Sequence, residues 1–82
     1  MEISIRLGAG FSQAAGNPRM SVDLPEGATV ADLIVRLGHL HPELEDQLAA
    51  AVAVTAGRHV ASSERLAGGQ EVALLLPVSG GS

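Results

Sequence analysis

The feature that most constrains how this chain can fold is its almost complete lack of aromatic side chains. Phe11 is the one aromatic residue among 82, and no cysteine is present, so disulfides and thiolate metal sites are excluded. A chain of this length forms one small domain. Its hydrophobic fraction of 46% is enough for a core. That core must therefore be built from valine, leucine, isoleucine and alanine.

The charge composition narrows the classes of partner. All five basic residues are arginines, they are scattered singly, and the net charge is −4. Nucleic acid is not an expected partner, because phosphate binding needs clustered lysine and arginine. No segment approaches the ~18 consecutive apolar residues of a membrane span, and the N-terminus lacks the basic and apolar regions of a signal peptide. We expect a cytoplasmic protein that binds neither nucleic acid nor membrane.

The absence of lysine and cysteine also limits the acyl chemistry that is open to the chain. Without lysine it cannot accept an isopeptide bond on a side chain, and it cannot form lysine-linked chains of itself. If its own carboxyl takes part in acyl transfer, this protein is the donor. Any sulfur that it carries must sit on that carboxyl, because no thiol is available.

The first part of the chain has the pattern of a β-hairpin. Apolar and polar residues alternate over 2–7 and again over 20–24, which is the period of half-buried strands. The intervening segment, 8–18, contains three glycines and a proline and is interpreted as a long hairpin loop.

A helix is predicted to follow the second strand. Thr29 is a suitable N-cap, and Asp32 three residues later can complete a capping box. Gly38 is predicted to end the helix or to weaken its last turn. One apolar stripe is formed by residues at i, i+3, i+4 and i+7: Val30, Leu33, Ile34 and Leu37.

The remaining segments predict a short helix and three strands. The short helix starts near Pro42 and turns Leu44 and Leu48 inward. Strands are predicted around 52–54 and 58–61, with a turn at residue 57 between them, and at 71–76 after a Gly-Gly turn. The order is strand, strand, helix, short helix, strand, short strand, strand. With one main helix on one face of a mixed sheet of four to five strands, this is an α+β roll.

The final strand is apolar on both faces. Val72, Leu74 and Leu76 share the parity of the core, so Ala73 and Leu75 point outward. Outward apolar residues beside the C-terminal tail indicate a docking patch, although single exposed leucines are common and need no special role.

The chain ends in a short tail that can leave the domain. We predict a domain over 1–76 and a flexible tail over 77–82. From Pro77 to Gly81 the tail can extend ~16 Å at about 3.3 Å per residue. Because glycine has no Cβ, such a tail can thread a narrow tunnel and place a carboxyl inside the active site of a partner.

Four stretches of the chain form a recognisable pattern: Leu24–Leu33, His41–Leu44, Val52–Val60 and Leu66–Gly81. Together they cover nearly the whole chain, and their order and spacing are more specific than any one of them. With this pattern the chain resembles the MoaD and ThiS sulfur carriers, which have the ubiquitin-like β-grasp fold. Its length and long first loop are most similar to the small subunit of molybdopterin synthase.

The resemblance implies a protein co-substrate and not a catalyst. An E1-like adenylyltransferase of the MoeB/ThiF type would use ATP to adenylate the carboxyl of Gly81, and sulfur would then replace AMP to give a thiocarboxylate. The carrier itself would bind no cofactor. The sulfur acceptor would be the molybdopterin synthase large subunit of the MoaE type, with Leu75 and Ala73 contributing to docking. The residues that thread the tunnel would be Pro77, Val78, Ser79 and Gly80.

One departure from the family pattern affects the proposed chemistry directly. The pattern ends at the second glycine, whereas Ser82 follows Gly81 here. A trimming protease, an inactive carrier and activation of Ser82 itself are the three explanations, and trimming is our prediction.

Two alternative functions remain open: sulfur delivery to another pathway (thiamine, cysteine, tRNA thiolation or a secondary metabolite), and a ubiquitin-like interaction module that is not activated.

Two other clusters were considered as sites. His39 and His41 are two residues apart and His59 is distant, whereas metal sites need three or four converging ligands, so polar caps at a helix end are the favoured interpretation. The acidic group Glu43, Glu45 and Asp46 favours a solvated helix N-terminus, with contact to a basic partner as its alternative.

Overall fold

The computed structural model describes residues 1–8, 11 and 19–76. These residues form a five-stranded sheet of order β2-β1-β5-β3-β4, with the helices on one of its faces. The order of elements is the predicted one. The elements are β1 (Glu2–Leu7), β2 (Arg19–Asp23), α1 (Val30–Leu40), a 3-10 turn (Pro42–Leu44), α2 (Glu45–Ala49), β3 (Val52–Thr55), β4 (Arg58–Val60) and β5 (Glu71–Leu75).

The sheet is mixed, and β5 lies at its centre. Strand β1 pairs antiparallel with β2 and parallel with β5. Strand β5 pairs antiparallel with β3, which in turn pairs antiparallel with β4. The C-terminal strand is therefore hydrogen-bonded on both sides, so the segment after it starts from the best-supported part of the sheet.

The core lies between the sheet and the helices, and it is aliphatic except for Phe11. The phenyl ring of Phe11 is fully buried, and the backbone N–H of this residue donates to the Gly8 carbonyl at 3.1 Å. Phe11 belongs to the segment predicted as a hairpin loop, whose other residues beyond Gly8 lie outside the described part. Other side chains with no more than 1% exposure are Ile3, Ile5, Leu33, Leu37, Leu44, Val72 and Leu74.

The start of α1 is capped as predicted. The Asp32 backbone N–H donates to the Thr29 hydroxyl at 3.3 Å, and the Thr29 N–H donates to the Asp32 carboxylate at 2.9 Å. Two further N–H groups, those of Val30 and Ala31, donate to the carbonyls of Glu64 and Ser62. Ser62 and Glu64 thus satisfy backbone donors that a helix start leaves unpaired.

Of the two predictions for Gly38, that it ends α1 is wrong, and the residue lies instead within the last turn of the helix. The helix continues through Gly38 to Leu40, and the His41 N–H closes it by donating to the Leu37 carbonyl at 2.8 Å. Gly38 is not among the residues with positive φ. A glycine inside a helix costs only ~1 kcal/mol, and burial of Leu37 and Leu44 on either side of it outweighs that cost.

A side-chain network that the sequence did not predict joins β3 to the start of β5. The half-buried Gln70 amide donates to the Thr55 hydroxyl at 2.9 Å, and that hydroxyl donates to the Glu71 carbonyl at 3.0 Å. The Gln70 side-chain oxygen accepts the Ala67 N–H at 2.8 Å. These bonds fix the turn that leads into β5.

No helix within the described residues is long and apolar enough to cross a membrane. The domain predicted for 1–76 is described apart from part of its first loop, whereas the predicted tail, 77–82, lies outside the described residues.

Candidate functional site

Strand β5 presents two different faces. Val72 and Leu74 are fully buried against the helices, whereas Ala73 is half-buried and Leu75 is 40% exposed on the opposite face of the sheet. This alternation confirms the predicted parity. Leu76, the last described residue, packs against the core. The sheet and core therefore hold the chain firmly up to the residue before the predicted tail.

The outward residues of β3 extend this apolar surface. Val52 is directly opposite Leu75 and Val54 is opposite Ala73, and all four side chains are on the face away from the helices. We call these four residues the outer patch. Apolar side chains on two adjacent central strands form a contiguous surface, which is more typical of a docking site than scattered exposed leucines are.

A shallow depression of about 160 Å³ adjoins the outer patch on the side of β1. Arg6, which pairs with Ala73 in the parallel ladder, lines it together with Leu7 and Gly8. The Gly8 N–H donates to the Leu74 carbonyl at 2.9 Å. A Cβ at this glycine would come within 2.8 Å of the Leu75 Cδ2 atom. A side chain at residue 8 would therefore require the end of the Leu75 side chain to move.

The outer face changes character along the strands. The end that leads to the tail carries Arg6 and the outer patch, whereas Glu2, Asp23 and Glu71 are exposed toward the other end. A partner that covers the tail end of this face would meet apolar side chains bordered by a guanidinium group.

The structure gives positions for two of the predicted site residues. Leu75 and Ala73 are at the outer patch, and their role in docking remains a prediction. The others lie outside the described residues, and their roles also remain predictions: Pro77, Val78, Ser79, Gly80, Gly81 and Ser82.

Sequence reasoning missed Arg6, Gly8, Val52 and Val54. The alternation in the first strand shows that Arg6 lies on its polar face. It does not show which residues are next to Arg6 on the sheet, because a parallel pairing between the first and last strands is not encoded in a local pattern.

The histidines do not assemble into a cluster. His41 closes α1, and its Nδ1 is 3.4 Å from a carboxylate oxygen of Glu43. His39 is in the last turn of α1, and His59 is on the edge strand β4. Within residues 1–8, 11 and 19–76, no three metal-binding side chains converge.

The fold and the position of the patch define a class of protein. A mixed sheet with the last strand parallel to the first, and with one main helix packed across it, is the β-grasp fold of ubiquitin-like proteins. The sequence model of the ThiS family matches residues 5–81. The chain belongs to the ThiS family. Members of this family are small carrier proteins and are not catalysts themselves.

Solved structures agree with this assignment. SAMP1 from Haloferax volcanii is 30% identical, with a TM-score of 0.86 over 96% of this chain and 98% of that one. A Pyrococcus furiosus protein described as molybdopterin converting factor, subunit 1, is 30% identical, with a TM-score of 0.83 over 95% of this chain and 99% of that one.

A third structure shares the fold at lower identity. It is a complex of subunits 1 and 2 of the molybdopterin-converting factor from Helicobacter pylori, with 14% identity and a TM-score of 0.70 over 95% of this chain and 96% of that one. No curated protein matches the sequence.

Proposed function

We propose that this chain is a sulfur carrier whose Gly81 carboxyl is adenylated and then converted to a thiocarboxylate. The observation that carries the proposal is the family match, which runs from residue 5 to Gly81 and leaves out Ser82. The central position of β5 supports it, because the tail leaves from a strand that is hydrogen-bonded on both sides.

The proposed chemistry takes place in two steps on one carboxyl. A carboxylate oxygen of Gly81 attacks the α-phosphorus of ATP, and pyrophosphate leaves. A sulfide equivalent then attacks the acyl carbon, a C–S bond forms, and AMP departs with the oxygen that joined it to the acyl group. Because glycine has no Cβ, the catalytic groups of the partner can surround the reacting carbon closely.

The folded domain contributes recognition to this chemistry. An E1-like adenylyltransferase of the MoeB/ThiF type would cover the outer patch and thereby bring the tail to its ATP site. Leu75 and Ala73 would be central contacts, because the fully buried centre of an interface is more apolar than its rim. Pro77, Val78, Ser79 and Gly80 would span the distance to the active site.

The proposed sulfur acceptor is the large subunit of molybdopterin synthase, of the MoaE type. The similarity to a molybdopterin converting factor subunit 1 supports this choice. The complex of such a subunit with subunit 2 supports the mode of assembly. Thiamine synthesis, cysteine synthesis, tRNA thiolation and secondary metabolism use the same carrier chemistry and are the alternatives. Co-purification of the large subunit with the tagged carrier would identify the pathway.

A second candidate function is protein modification, which the similarity to a small archaeal modifier protein favours. Here an amine of a target protein attacks the acyl adenylate, a C–N bond forms, and AMP leaves. A ubiquitin-like module that is never activated is the third possibility. The three differ in product: a thiocarboxylate, an amide conjugate, or no change in mass.

The experiment compares two forms of the chain, one ending at Gly81 and one at Ser82. Each is incubated with ATP, the cognate adenylyltransferase and sulfide, and is then treated with a thiol-alkylating reagent. Because the chain has no cysteine, the reagent reports the thiocarboxylate alone. We expect labelling of the form ending at Gly81 only, with a trimming protease required for the longer form. Equal labelling of both forms would show that Ser82 itself can be activated.

A further inference from the structure

The helical layer carries a groove that the proposed function does not use. It lies between α1 and α2, on the opposite side of the sheet from the outer patch, and has a volume of about 220 Å³. Val35, at its rim, is 57% exposed, although it is apolar. We call it the helical groove, and its lining residues are Ile34, Val35, Gly38, His39, Glu45, Leu48 and Ala49.

Gly38 leaves the floor of the helical groove open, although the backbone conformation at this residue does not require glycine. Its φ is not positive. A Cβ there would lie 3.8 Å from the Glu45 Cγ and 3.9 Å from the Leu48 Cδ1, which are ordinary van der Waals distances. Glycine is among the least favourable residues inside a helix. The fold would therefore accept a side chain at this position, and what the glycine provides is depth.

The helical groove is bordered by a carboxylate, that of Glu45. Asp46 and Glu43 are exposed in the same segment but do not line it, and Glu43 is 3.4 Å from His41. Arg36 is two residues before Gly38, so it projects about 200° around α1 from the floor of the groove. His39 is the other polar lining residue. An apolar floor with a negative border fits a positively charged partner that carries apolar side chains.

We propose that the helical groove binds a basic amphipathic helix of a partner protein. One aliphatic side chain of that helix would cover Gly38, and a lysine or arginine beside it would pair with Glu45. The helical groove and the outer patch are on opposite layers of the domain. A partner could therefore hold the carrier while an enzyme processes its tail.

The test uses a synthetic amphipathic peptide of leucine and lysine, added to the isotope-labelled protein and followed by amide chemical shifts. A peptide of the same composition, but without an apolar face, controls for charge alone. We expect the amphipathic peptide to shift residues that line the helical groove, and the control peptide to bind at least about tenfold more weakly.

Variants of the floor and of the charge separate binding in the helical groove from general electrostatic attraction. Gly38→Leu fills the floor and should bind the amphipathic peptide at least about tenfold more weakly, with its fold checked by thermal unfolding. Gly38→Ala adds a Cβ that meets no atom closer than 3.8 Å, so it should keep the fold and weaken binding in the same direction by a smaller factor. Glu45→Lys should weaken binding to an extent similar to Gly38→Leu. Glu26→Lys makes the same charge change at an exposed turn outside the groove and should leave affinity within about twofold.

Several results would contradict binding of a basic amphipathic helix in the helical groove. Shifts on the sheet face, no shifts, or equal losses in Glu26→Lys and Glu45→Lys would overturn the proposal. A concentration-dependent dimer that shifts the groove residues without peptide would show that a second copy is the occupant, which also overturns it. None of these results depends on sulfur transfer, so this proposal and the proposed function fail independently.

Discussion

Replacing Gly38 by alanine should stabilise the protein, although this glycine is buried. A helix-interior glycine is less favourable than alanine by roughly 0.5–1 kcal/mol. The new methyl group would meet Glu45 and Leu48 at 3.8–4.0 Å, without overlap. The partial burial of this methyl group adds a few tenths of a kcal/mol, which is below the ~0.8 kcal/mol expected for one fully buried carbon. The free energy of unfolding should therefore rise by about 1 kcal/mol.

Thermal and urea unfolding of the wild type and the Gly38→Ala variant measure this change. For a domain of this size, 1 kcal/mol corresponds to an increase in Tm of about 4–8 °C. The matched control is Gly57→Ala. Residue 57 has φ of +76° and no atom within 4 Å of an added Cβ, so only backbone strain acts there. That variant should lose about 1–2 kcal/mol.

The sign of the Gly38 result is decisive. If Gly38 ended the helix in a left-handed conformation, which is one of the two sequence predictions, alanine would destabilise the protein as we expect at residue 57. A fall in Tm for Gly38→Ala would refute the continuous helix through Leu40 and the open floor of the helical groove.

Three further predictions follow from the fold and the outer patch. Thr29→Ala removes the N-cap hydroxyl and should lower the free energy of unfolding by about 1 kcal/mol in urea titrations; no loss would contradict the capping geometry. Leu33→Ala creates a cavity at a fully buried site and should cost about 2–5 kcal/mol, whereas Leu40→Ala, at a side chain that is 48% exposed, should stay within ±0.5 kcal/mol. Similar losses would contradict the assigned face of α1. Leu75→Glu should leave Tm unchanged but weaken adenylyltransferase binding at least about tenfold by calorimetry; unchanged affinity would exclude the outer patch as the docking surface.

Local patterns predicted the elements and the faces of this fold well. The alternation of strands and the spacing from Thr29 to Leu37 are local properties, and each corresponds to an observed element or buried stripe. The parity of β5 was likewise sufficient to place Ala73 and Leu75 on the outer face.

Features that depend on contacts between distant segments were not predicted. Gly38 was interpreted from its preference for helix ends, but packing on both sides keeps it helical. The hydrogen bonds from Gln70 to Thr55, and from α1 to Ser62 and Glu64, join segments far apart in the sequence. The depression beside Leu75 depends on Arg6 and Gly8, which reach it through the parallel pairing of β1 with β5.

The most direct test of the carrier hypothesis is the mass of the C-terminal tryptic peptide of protein isolated from cells. Cleavage after Arg65, the last basic residue, releases a peptide that contains neither methionine nor cysteine. Methionine oxidation therefore cannot imitate the exchange of oxygen for sulfur. The hypothesis predicts a peptide that ends at Gly81, carries one sulfur in place of one oxygen, and reacts with a thiol-alkylating reagent. A peptide that keeps Ser82 and an ordinary carboxylate, in cells that contain the adenylyltransferase and a sulfur donor, would contradict it.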